Sequence, residues 1–209
     1  MKLTRKKALS ILVLFLFSGS ILSLAANIFM RPSNNNQTMT DIVVMETSKG
    51  TIEIALNREK APITVENFVN YVKDGFFDGL CFHRVIKGFM IQGGGFYPNS
   101  TYKLSRDPIS IESNNGLRNL KGTIAMARSS EPNSATSQFF INTVDNPNLD
   151  YPSFDGYGYT VFGIVIEGLE VVEDIEKVAT DTNDTPYGPM ADWPIEPVEI
   201  IKVYMKEDN

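Results

Sequence analysis

The sequence has very few of the residue types from which most enzymes assemble a reaction centre. It contains one cysteine, Cys81, one histidine, His83, and one tryptophan, Trp193. A single cysteine cannot form an internal disulfide, and one histidine with one cysteine is too small a set for a zinc site. A serine hydrolase would have to use His83, and the chain has no G-x-S-x-G motif. These classes are therefore excluded, and we expect no metal and no cofactor.

Basic residues are scarce after the N-terminus. The formal charge of the 209 residues is −6, and the only charged residues among the first 30 are Lys2, Arg5, Lys6 and Lys7. The remaining chain therefore carries a formal charge of −10. A chain this acidic lacks the basic surface that a nucleic-acid backbone requires, so we expect no nucleic-acid partner.

A long uncharged segment follows the basic cluster. The 23 residues from Ala8 to Met30 contain no charge. As a helix they would span about 34 Å, enough to cross a bilayer core, and the basic flank favours a cytoplasmic N-terminus with the rest of the chain outside. Residues 1–30 are either an uncleaved membrane anchor or a secretory signal peptide, because the small residues of SLAA, residues 23–26, suit cleavage. We predict an extracytoplasmic protein, secreted or anchored to the cell membrane.

The rest of the sequence divides into a short linker and one domain. Residues 31–41 are polar and lack periodicity, which predicts a linker. Within residues 42–209, short apolar and alternating segments predict many β-strands, beginning with a hairpin in IVVMETSKGTIEIAL. Two helices are predicted within 61–75 and 168–179, where apolar residues recur at helical spacing. This pattern indicates a β-barrel or sandwich with helices at its ends.

The segment FHRVIKGFMIQGG, residues 82–94, has an unusual composition for a strand region. It carries Arg84 and Gln92 among apolar residues, and no Asp or Glu occurs from residue 81 to residue 100. Arg84 therefore has no local carboxylate. It is either paired with a distant acid or kept free for function.

The segment SQFFINTV, residues 137–144, predicts a strand with two different faces. Gln138, Phe140 and Asn142 share one face, and Phe139 and Ile141 share the other. The second face is apolar and belongs in a core. The first combines amides with an aromatic ring, which is typical of a peptide-binding groove.

Three longer segments resemble one known family. FHRVIKGFMIQGG, GTIAMARSSEPNSATSQFFINT and GYTVFGIVIEGLEVVEDI, in this order, resemble the cyclophilins, which are peptidyl-prolyl cis-trans isomerases. The likeness runs from about residue 42 to residue 205 and is closest to the compact bacterial and archaeal type. It implies a mainly β fold, a closed eight-stranded antiparallel barrel capped by two α-helices. It also implies proline-containing polypeptides as substrates, no cofactor and a monomer.

The resemblance also implies roles for individual residues. Arg84 matches the family's catalytic arginine, which donates hydrogen bonds to the prolyl nitrogen, and Gln92 and Phe89 complete the catalytic set. The positions that match substrate-binding residues are Met90, Ala127, Arg128, Ser129, Gln138, Phe140, Leu149 and Tyr159. A local carboxylate would compete for the donors of Arg84, which gives a functional reason for the acid-free segment. The predicted function is isomerisation of Xaa-Pro bonds, assisting the folding of exported proteins.

Three positions depart from the family pattern. Arg128 stands where asparagine is frequent, Tyr159 where histidine is frequent, and Asn148 where tryptophan or phenylalanine is frequent. Because that aromatic helps to bind cyclosporin in the family, we predict weak cyclosporin binding. The missing aromatic leaves an alternative open, a membrane-tethered module that binds proline-containing peptides with little turnover. A redox protein based on Cys81 is a third alternative, although the chain has no resolving cysteine.

Overall fold

The computed structural model describes residues 41–207, which form ten β-strands, two α-helices and one short 3₁₀ turn. The strands are β1 (Ile42–Thr47), β2 (Gly50–Leu56), β3 (Leu80–Ile86), β4 (Met90–Gly93), β5 (Thr123–Met126), β6 (Phe139–Asn142), β7 (Val161–Glu167), β8 (Thr180–Thr185), β9 (Gly188–Pro194) and β10 (Val198–Met205). The helices are α1 (Pro62–Lys73) and α2 (Leu169–Glu176), and the 3₁₀ turn is Pro147–Leu149. Each predicted helix and strand is present.

Eight of the strands close into one barrel. Their order around the barrel is β1-β10-β3-β4-β6-β5-β7-β2, and every neighbouring pair is antiparallel. The β1–β2 hairpin turns where the sequence predicts it, so that Glu46 pairs with Thr51 and Thr47 with Gly50. The predicted fold class, a closed eight-stranded antiparallel barrel with two helices, is confirmed.

Strand alternation separates the barrel core from its outer face. Ile91, Ile141 and Ile124 pair in one row across β4, β6 and β5, and all three are completely buried in the core. Phe139 lies in the same core, as the alternation of its strand predicts. Their neighbours along each strand face outward, so one side of the barrel wall is available for a site.

Helix α1 packs its apolar stripe against the aromatic core. Pro62 occupies the first turn, where a missing N–H costs little. Phe68 is completely buried, and the centroid of its ring lies 5.7 Å from that of Phe139 on β6 and 5.1 Å from that of Phe162 on β7. Removing a buried phenylalanine side chain from such a core costs about 3–5 kcal/mol, so α1 is a structural element and not part of a mobile lid.

The β8–β9 hairpin is not predicted by the sequence, and neither is the short 3₁₀ turn. The hairpin is a separate two-stranded sheet that packs beside β3, outside the barrel. Trp193 on β9 fills a small cluster with Cys81 and Phe96. The polar residues of TDTNDT on β8 have no apolar alternation, which explains why the strand pattern is hidden.

The predictions for residues 1–30, and for nearly all of the linker, lie outside the described residues. Asp41, the last linker residue, is already joined to the domain. Its carbonyl accepts the backbone N–H of Leu56 at 2.8 Å, and its carboxylate pairs with Arg58 at 2.7 Å. Within residues 41–207, no helix is both long and apolar enough to cross a membrane.

Candidate active site

Four residues on the outer face form one row across four neighbouring strands. Arg84 on β3 pairs with Gln92 on β4, Gln92 pairs with Phe140 on β6, and Phe140 pairs with Ala125 on β5. Residues paired directly across a sheet have Cβ atoms about 4.5–5.5 Å apart. The row therefore places a guanidinium, an amide and an aromatic ring side by side, although they are far apart in sequence.

A β-bulge in β3 turns Arg84 toward this outer face. Phe82 pairs with Gly93 and Arg84 pairs with Gln92, so His83 is an extra residue on β3. Phe82 and Val85 both lie in the barrel core, whereas His83 and Arg84 lie outside it. A bulge of this kind re-aims side chains, and here it allows two consecutive residues to leave the core side.

The row borders a small cavity on the barrel wall. The cavity has a volume of about 120 Å³, and nine of the eleven predicted site residues line it. They are Arg84, Phe89, Met90, Gln92, Ala127, Arg128, Phe140, Leu149 and Tyr159. Pockets for drug-sized ligands have volumes of about 300–1,000 Å³, so this cavity has room for a single side chain.

Six of the nine residues that line the cavity are apolar or aromatic. Met90 and Phe140 are nearly completely buried in a cluster that is separate from the barrel core. The Tyr159 ring meets the Phe140 ring edge to face, with 5.7 Å between centroids. Phe89 and Leu149 are half-buried against the same cluster. The cavity is therefore already formed by protein packing and suits a compact apolar ring.

Arg84 is held loosely at the cavity edge. Its side chain is 40% exposed, and Nε lies 3.6 Å from Oδ2 of Asp192 on β9, a side chain that is 38% exposed. The acid-free segment therefore does not leave Arg84 without a carboxylate, because the β8–β9 hairpin brings one from elsewhere. An exposed pair contributes only about 0–1 kcal/mol. Within residues 41–207 the Arg84 guanidinium donates no hydrogen bond, so its donors remain available.

Arg128 lines the same cavity, but its guanidinium is buried and bonds to the protein through all three of its nitrogens. Its side chain is only 3% exposed. Nε donates to the Gly158 carbonyl at 2.9 Å, Nη1 to the Ser129 carbonyl at 2.9 Å, and Nη2 to the Asp155 carboxylate. The guanidinium also lies over the Tyr159 ring, 4.6 Å from its centroid. Its side chain is therefore structural, and only its backbone remains for a ligand.

Asp155 is the acidic partner in this arrangement. The hydrogen bond from Arg128, followed by the backbone N–H of Tyr157, lowers the pKa of Asp155 to about 2. Oδ1 accepts the Tyr157 N–H at 2.9 Å and the Gly158 N–H at 3.2 Å. The carboxylate thus holds the residues just before Tyr159, which forms a wall of the cavity.

The two remaining predicted residues lie outside the cavity. Gln138 accepts a hydrogen bond from Gln92, with 2.9 Å between Nε2 of Gln92 and Oε1 of Gln138. A Cβ at Gly95 would lie 2.8 Å from the Gln138 side chain, so the glycine makes room for this amide. Ser129 is exposed, and its backbone N–H donates to Ser134 Oγ at 2.9 Å. Gln138 therefore orients Gln92, and Ser129 lies on the strand edge beyond the cavity.

A buried amide network supports the cavity from below. Asn146 Nδ2 donates to the Phe89 carbonyl at 2.8 Å and to Asn142 Oδ1 at 2.7 Å. Asn142, completely buried, donates in turn to Thr123 Oγ1 at 2.9 Å. Hydrogen bonds buried in this way are costly to break, because the freed groups lose water as well as a partner. The network fixes the backbone that carries Phe89.

His83 and Cys81 face away from the cavity. The His83 ring packs against Phe96 and Trp193, with centroids 4.8 Å and 5.8 Å away. Burial lowers the pKa of His83 to about 4, and within residues 41–207 its Nδ1 has no hydrogen-bond partner. Burial also raises the pKa of the Cys81 thiol to about 12. A buried imidazole with so low a pKa is a weak base, and a buried thiol with so high a pKa forms almost no thiolate, so this pair does not suit a redox or hydrolytic centre.

Comparison with known proteins decides the family. Residues 42–205 match the family described as "Cyclophilin type peptidyl-prolyl cis-trans isomerase/CLD". The chain belongs to the cyclophilin family. It is 50% identical over 163 residues to peptidyl-prolyl cis-trans isomerase A of Dickeya dadantii, which covers 78% of this chain and 83% of that protein. It is 48% identical over 168 residues to peptidyl-prolyl cis-trans isomerase B of Escherichia coli, covering 79% and 100%.

A solved cyclophilin has the same fold. The crystal structure of a Cryptosporidium parvum cyclophilin type peptidyl-prolyl cis-trans isomerase, in the presence of the dipeptide Ala-Pro, superimposes with a TM-score of 0.65 at 25% identity. The match covers 80% of this chain and 99% of that one. The cyclophilin described here is therefore a peptidyl-prolyl cis-trans isomerase, and the predicted family and enzyme class are confirmed.

Three residues that organise the site escaped sequence reasoning. Asp192 comes from a hairpin that has no strand pattern, and Asp155 looks like an ordinary turn residue in FDGYG. Asn146 lies shortly after the strand that carries Asn142, but nothing in the sequence joins its amide to Phe89. Each of these three residues acts through a contact between segments that are distant in the sequence. The periodicity of a single segment does not reveal such a contact.

Proposed function

We propose that this cyclophilin isomerises Xaa-Pro bonds in exported polypeptides outside the cytoplasm, and that the cavity beside Arg84 is its active site. The observation that carries the site assignment is the paired row of Arg84, Gln92 and Phe140 beside a cavity of about 120 Å³. The location is supported by sequence, because a basic cluster and an uncharged segment precede the domain. Assistance in the folding of exported proteins follows from that location.

The chemistry needs no nucleophile. Amide resonance produces a rotation barrier of about 18–20 kcal/mol, and twisting the bond returns the lone pair to the prolyl nitrogen. A catalyst must bind this twisted state better than either planar isomer. Arg84 supplies a guanidinium with free donors, and one of them donates to the prolyl nitrogen as its lone pair develops. The hydrogen bond is strong only in the twisted state, so it lowers the barrier.

The remaining residues hold the substrate around this bond. The proline ring enters the cavity against Phe89, Met90 and Phe140, which are already packed and need no rearrangement. Gln92 is oriented by Gln138, and its own carbonyl oxygen is kept as an acceptor for the substrate backbone. Fixing the ring while Arg84 engages the nitrogen restricts the substrate to rotation about one bond.

The edge beside the cavity pairs with the substrate backbone. Ala127 N–H donates to the Gln138 carbonyl at 3.0 Å and continues the sheet to this point. Among the described residues, the backbone N–H and C=O of Arg128 have no partner, although its side chain makes three hydrogen bonds. An extended peptide can therefore add to this edge through backbone hydrogen bonds, which are independent of sequence.

Exchange NMR on an Ala-Pro peptide, with the full-length chain and no coupled protease, tests the activity and the site. We expect the wild type to accelerate exchange and Arg84→Ala to lose about 10²-fold in kcat/KM. Arg58→Ala is the matched control, because the Arg58 side chain is 43% exposed, is ion-paired like that of Arg84 and does not line the cavity. Binding without accelerated exchange in the wild type would instead indicate a peptide-holding module.

Two predictions about partners and location remain to be tested. Protease added to spheroplasts should digest the domain, and recovery of the intact chain only from the cytosol would contradict an extracytoplasmic location. Weak cyclosporin binding stays a prediction from Asn148, which is exposed and directly precedes the cavity residue Leu149. Isothermal calorimetry tests it, and tight binding would show that this position does not control affinity.

A further inference from the structure

The loop between Leu149 and Tyr159 exposes three aromatic side chains beside the cavity. We call residues 150–158 the rim loop, because the residues on both sides of it line the cavity. Phe154 is 88% exposed, Tyr151 is 51% exposed and Tyr157 is 46% exposed. Phe154 is the only phenylalanine among residues 41–207 with an exposed side chain. Aromatic side chains exposed beside a cavity offer apolar area to a ligand that binds there.

The ends of the rim loop are fastened together. Tyr159 N–H donates to the Leu149 carbonyl at 2.9 Å. Gly158 has a φ of +72°, and a Cβ there would lie 2.9 Å from the Leu149 carbonyl oxygen. Only glycine fits this close crossing. The rim loop is therefore a closed Ω-type loop, a class that is frequently functional.

Hydrogen bonds also hold the interior of the rim loop. Asp155 accepts from the backbone of Tyr157 and from the buried Arg128 guanidinium. Ser153 Oγ donates to the Asn148 carbonyl at 2.7 Å, and Gly156 N–H donates to the Ser153 carbonyl at 2.9 Å. The aromatic side chains are thus presented by an ordered backbone, so a ligand that binds them does not have to order the loop first.

We propose that the rim loop is a second substrate contact, which binds a large apolar side chain of the same polypeptide whose proline occupies the cavity. This inference rests on the proposed function of the cavity. The rim loop is continuous with the cavity through Leu149 and Tyr159, and this continuity favours a single occupant over separate ones. Both of its carboxylates are paired with arginines, Asp150 with Arg118 and Asp155 with Arg128, so no free charge disfavours an apolar partner.

The geometry limits where the apolar residue lies in the substrate. Phe154 is five peptide steps from Leu149 and five from Tyr159, and five steps span at most about 18 Å. An extended substrate covers that distance in about five residues. The preferred substrates are therefore unfolded segments with a Phe, Tyr, Leu or similar residue within about five positions of the proline.

Exchange NMR on paired peptides tests this specificity with the full-length chain. Each pair consists of a peptide with Phe four positions from the proline and a partner with Ser at that position. In one pair this residue lies before the proline, and in a second pair it lies after the proline. We expect wild type to prefer the Phe peptide in kcat/KM by about three- to tenfold, mainly through KM. Phe154→Ser should bring this ratio close to one, and Phe154→Tyr should retain it. Leu104→Ser is the matched control, because Leu104 is 87% exposed and does not line the cavity.

The outcomes separate this inference from the proposed function. If the wild type is active and the Phe-to-Ser ratio of kcat/KM is the same in Phe154→Ser and Leu104→Ser, the rim-loop proposal alone is overturned. A wild type inactive on every peptide would overturn the proposed function as well. The proposal would also be overturned if Phe154→Ser changed only dimerisation in sedimentation experiments, or only binding to phosphatidylcholine vesicles, with the peptide ratio intact.

Discussion

Two arginines line the same cavity and are held in opposite ways. Arg128 is 3% exposed and bonds to Asp155, Gly158 and Ser129, whereas Arg84 is 40% exposed and has only Asp192, at 3.6 Å. The residue type is the same, but the number of satisfied donors differs. The buried arginine already donates three of its five N–H groups to the protein, whereas among residues 41–207 the exposed one donates none.

The difference indicates that Arg128 supports the structure and that Arg84 is available for the reaction. A donor that is already bonded in the free protein gains nothing when a transition state forms, so it stabilises only the structure. A donor that is free and pre-positioned is used when charge or a lone pair develops. The account therefore predicts that changes to Arg84 affect rate, and that changes to Arg128 affect stability.

Replacing Arg84 by Lys should give the largest effect on rate. Lysine keeps the positive charge but loses the planar fork of donors. We expect kcat/KM to fall about 10²-fold by exchange NMR, with the melting temperature within about 2 °C of wild type because the lost ion pair is exposed. Arg58→Lys is the matched control. Retention of most of the activity would mean that charge alone suffices.

His83, which directly precedes Arg84 on β3, should make the free energy of unfolding depend on pH. Burial is the main cause that lowers the pKa of His83 from its ordinary 6.5 to about 4, with a smaller contribution from the Arg84 charge. Between pH 6.5 and pH 4 the unfolded chain binds a proton at His83 that the folded chain does not. The free energy of unfolding therefore falls as the pH drops from 6.5 to 4. The loss is about 3 kcal/mol.

The single histidine makes this prediction simple to measure. NMR titration of the only imidazole should give a midpoint near pH 4, and urea unfolding at several pH values should show the slope. His83→Gln should remove the His83 contribution to this slope, which is the main one between pH 6.5 and about 5. A midpoint near 6.5 in the folded protein would contradict the burial of a neutral ring behind Arg84.

Replacing Arg128 by Met should change stability more than rate. Met keeps much of the volume but leaves the Asp155 carboxylate without its partner. We expect the melting temperature at neutral pH to fall by about 5 °C or more. The folded-state pKa of Asp155 lies below its unfolded value of 3.8, so its stabilising effect should fade as the pH drops from about 4 to about 2. The variant should show a smaller change, because only the backbone N–H bonds from Tyr157 and Gly158 still lower this pKa.

The control for this prediction is the same substitution at the other arginine. Arg84→Met should leave the melting temperature within about 2 °C of wild type in the same scan. Equal destabilisation by the two substitutions would show that the two arginines do not differ in structural role.

Replacing Asp192 by Asn should change kcat/KM less than the substitutions of Arg84 do. The carboxylate contacts Nε of Arg84 from outside the barrel and restricts how the guanidinium rotates. We expect a loss of about twofold in kcat/KM, consistent with an exposed pair. Asp181→Asn, on the same hairpin, is the control. An increase in kcat/KM would show that the carboxylate competes for the donors, as the acid-free segment of the sequence first implied.

Much of the fold was predictable because it depends on local pattern. Alternation placed Phe139 and Ile141 in the core and Phe140 on the outer face, and helical spacing located Phe68 on α1. The family motifs brought nine predicted residues to one cavity. These features repeat along each strand or helix, so they can be read from a single segment.

The contacts that distinguish the two arginines were not predictable. Asp192 reaches Arg84 only because the β8–β9 hairpin folds back against β3, and the β-bulge at His83 sets the direction of Arg84. Asp155 reaches Arg128 only because the rim loop closes on itself. The sequence shows which charges exist, whereas the pairing depends on how distant loops pack.

The most direct test of the account is NMR of the two guanidinium groups in the wild-type chain. Nε–H signals and their exchange with water should show Arg128 protected without ligand, and Arg84 exchanging rapidly. A saturating Ala-Pro peptide should shift and protect the Arg84 signal and leave that of Arg128 nearly unchanged. A response at Arg128 with none at Arg84 would contradict the assignment of catalysis to the exposed arginine.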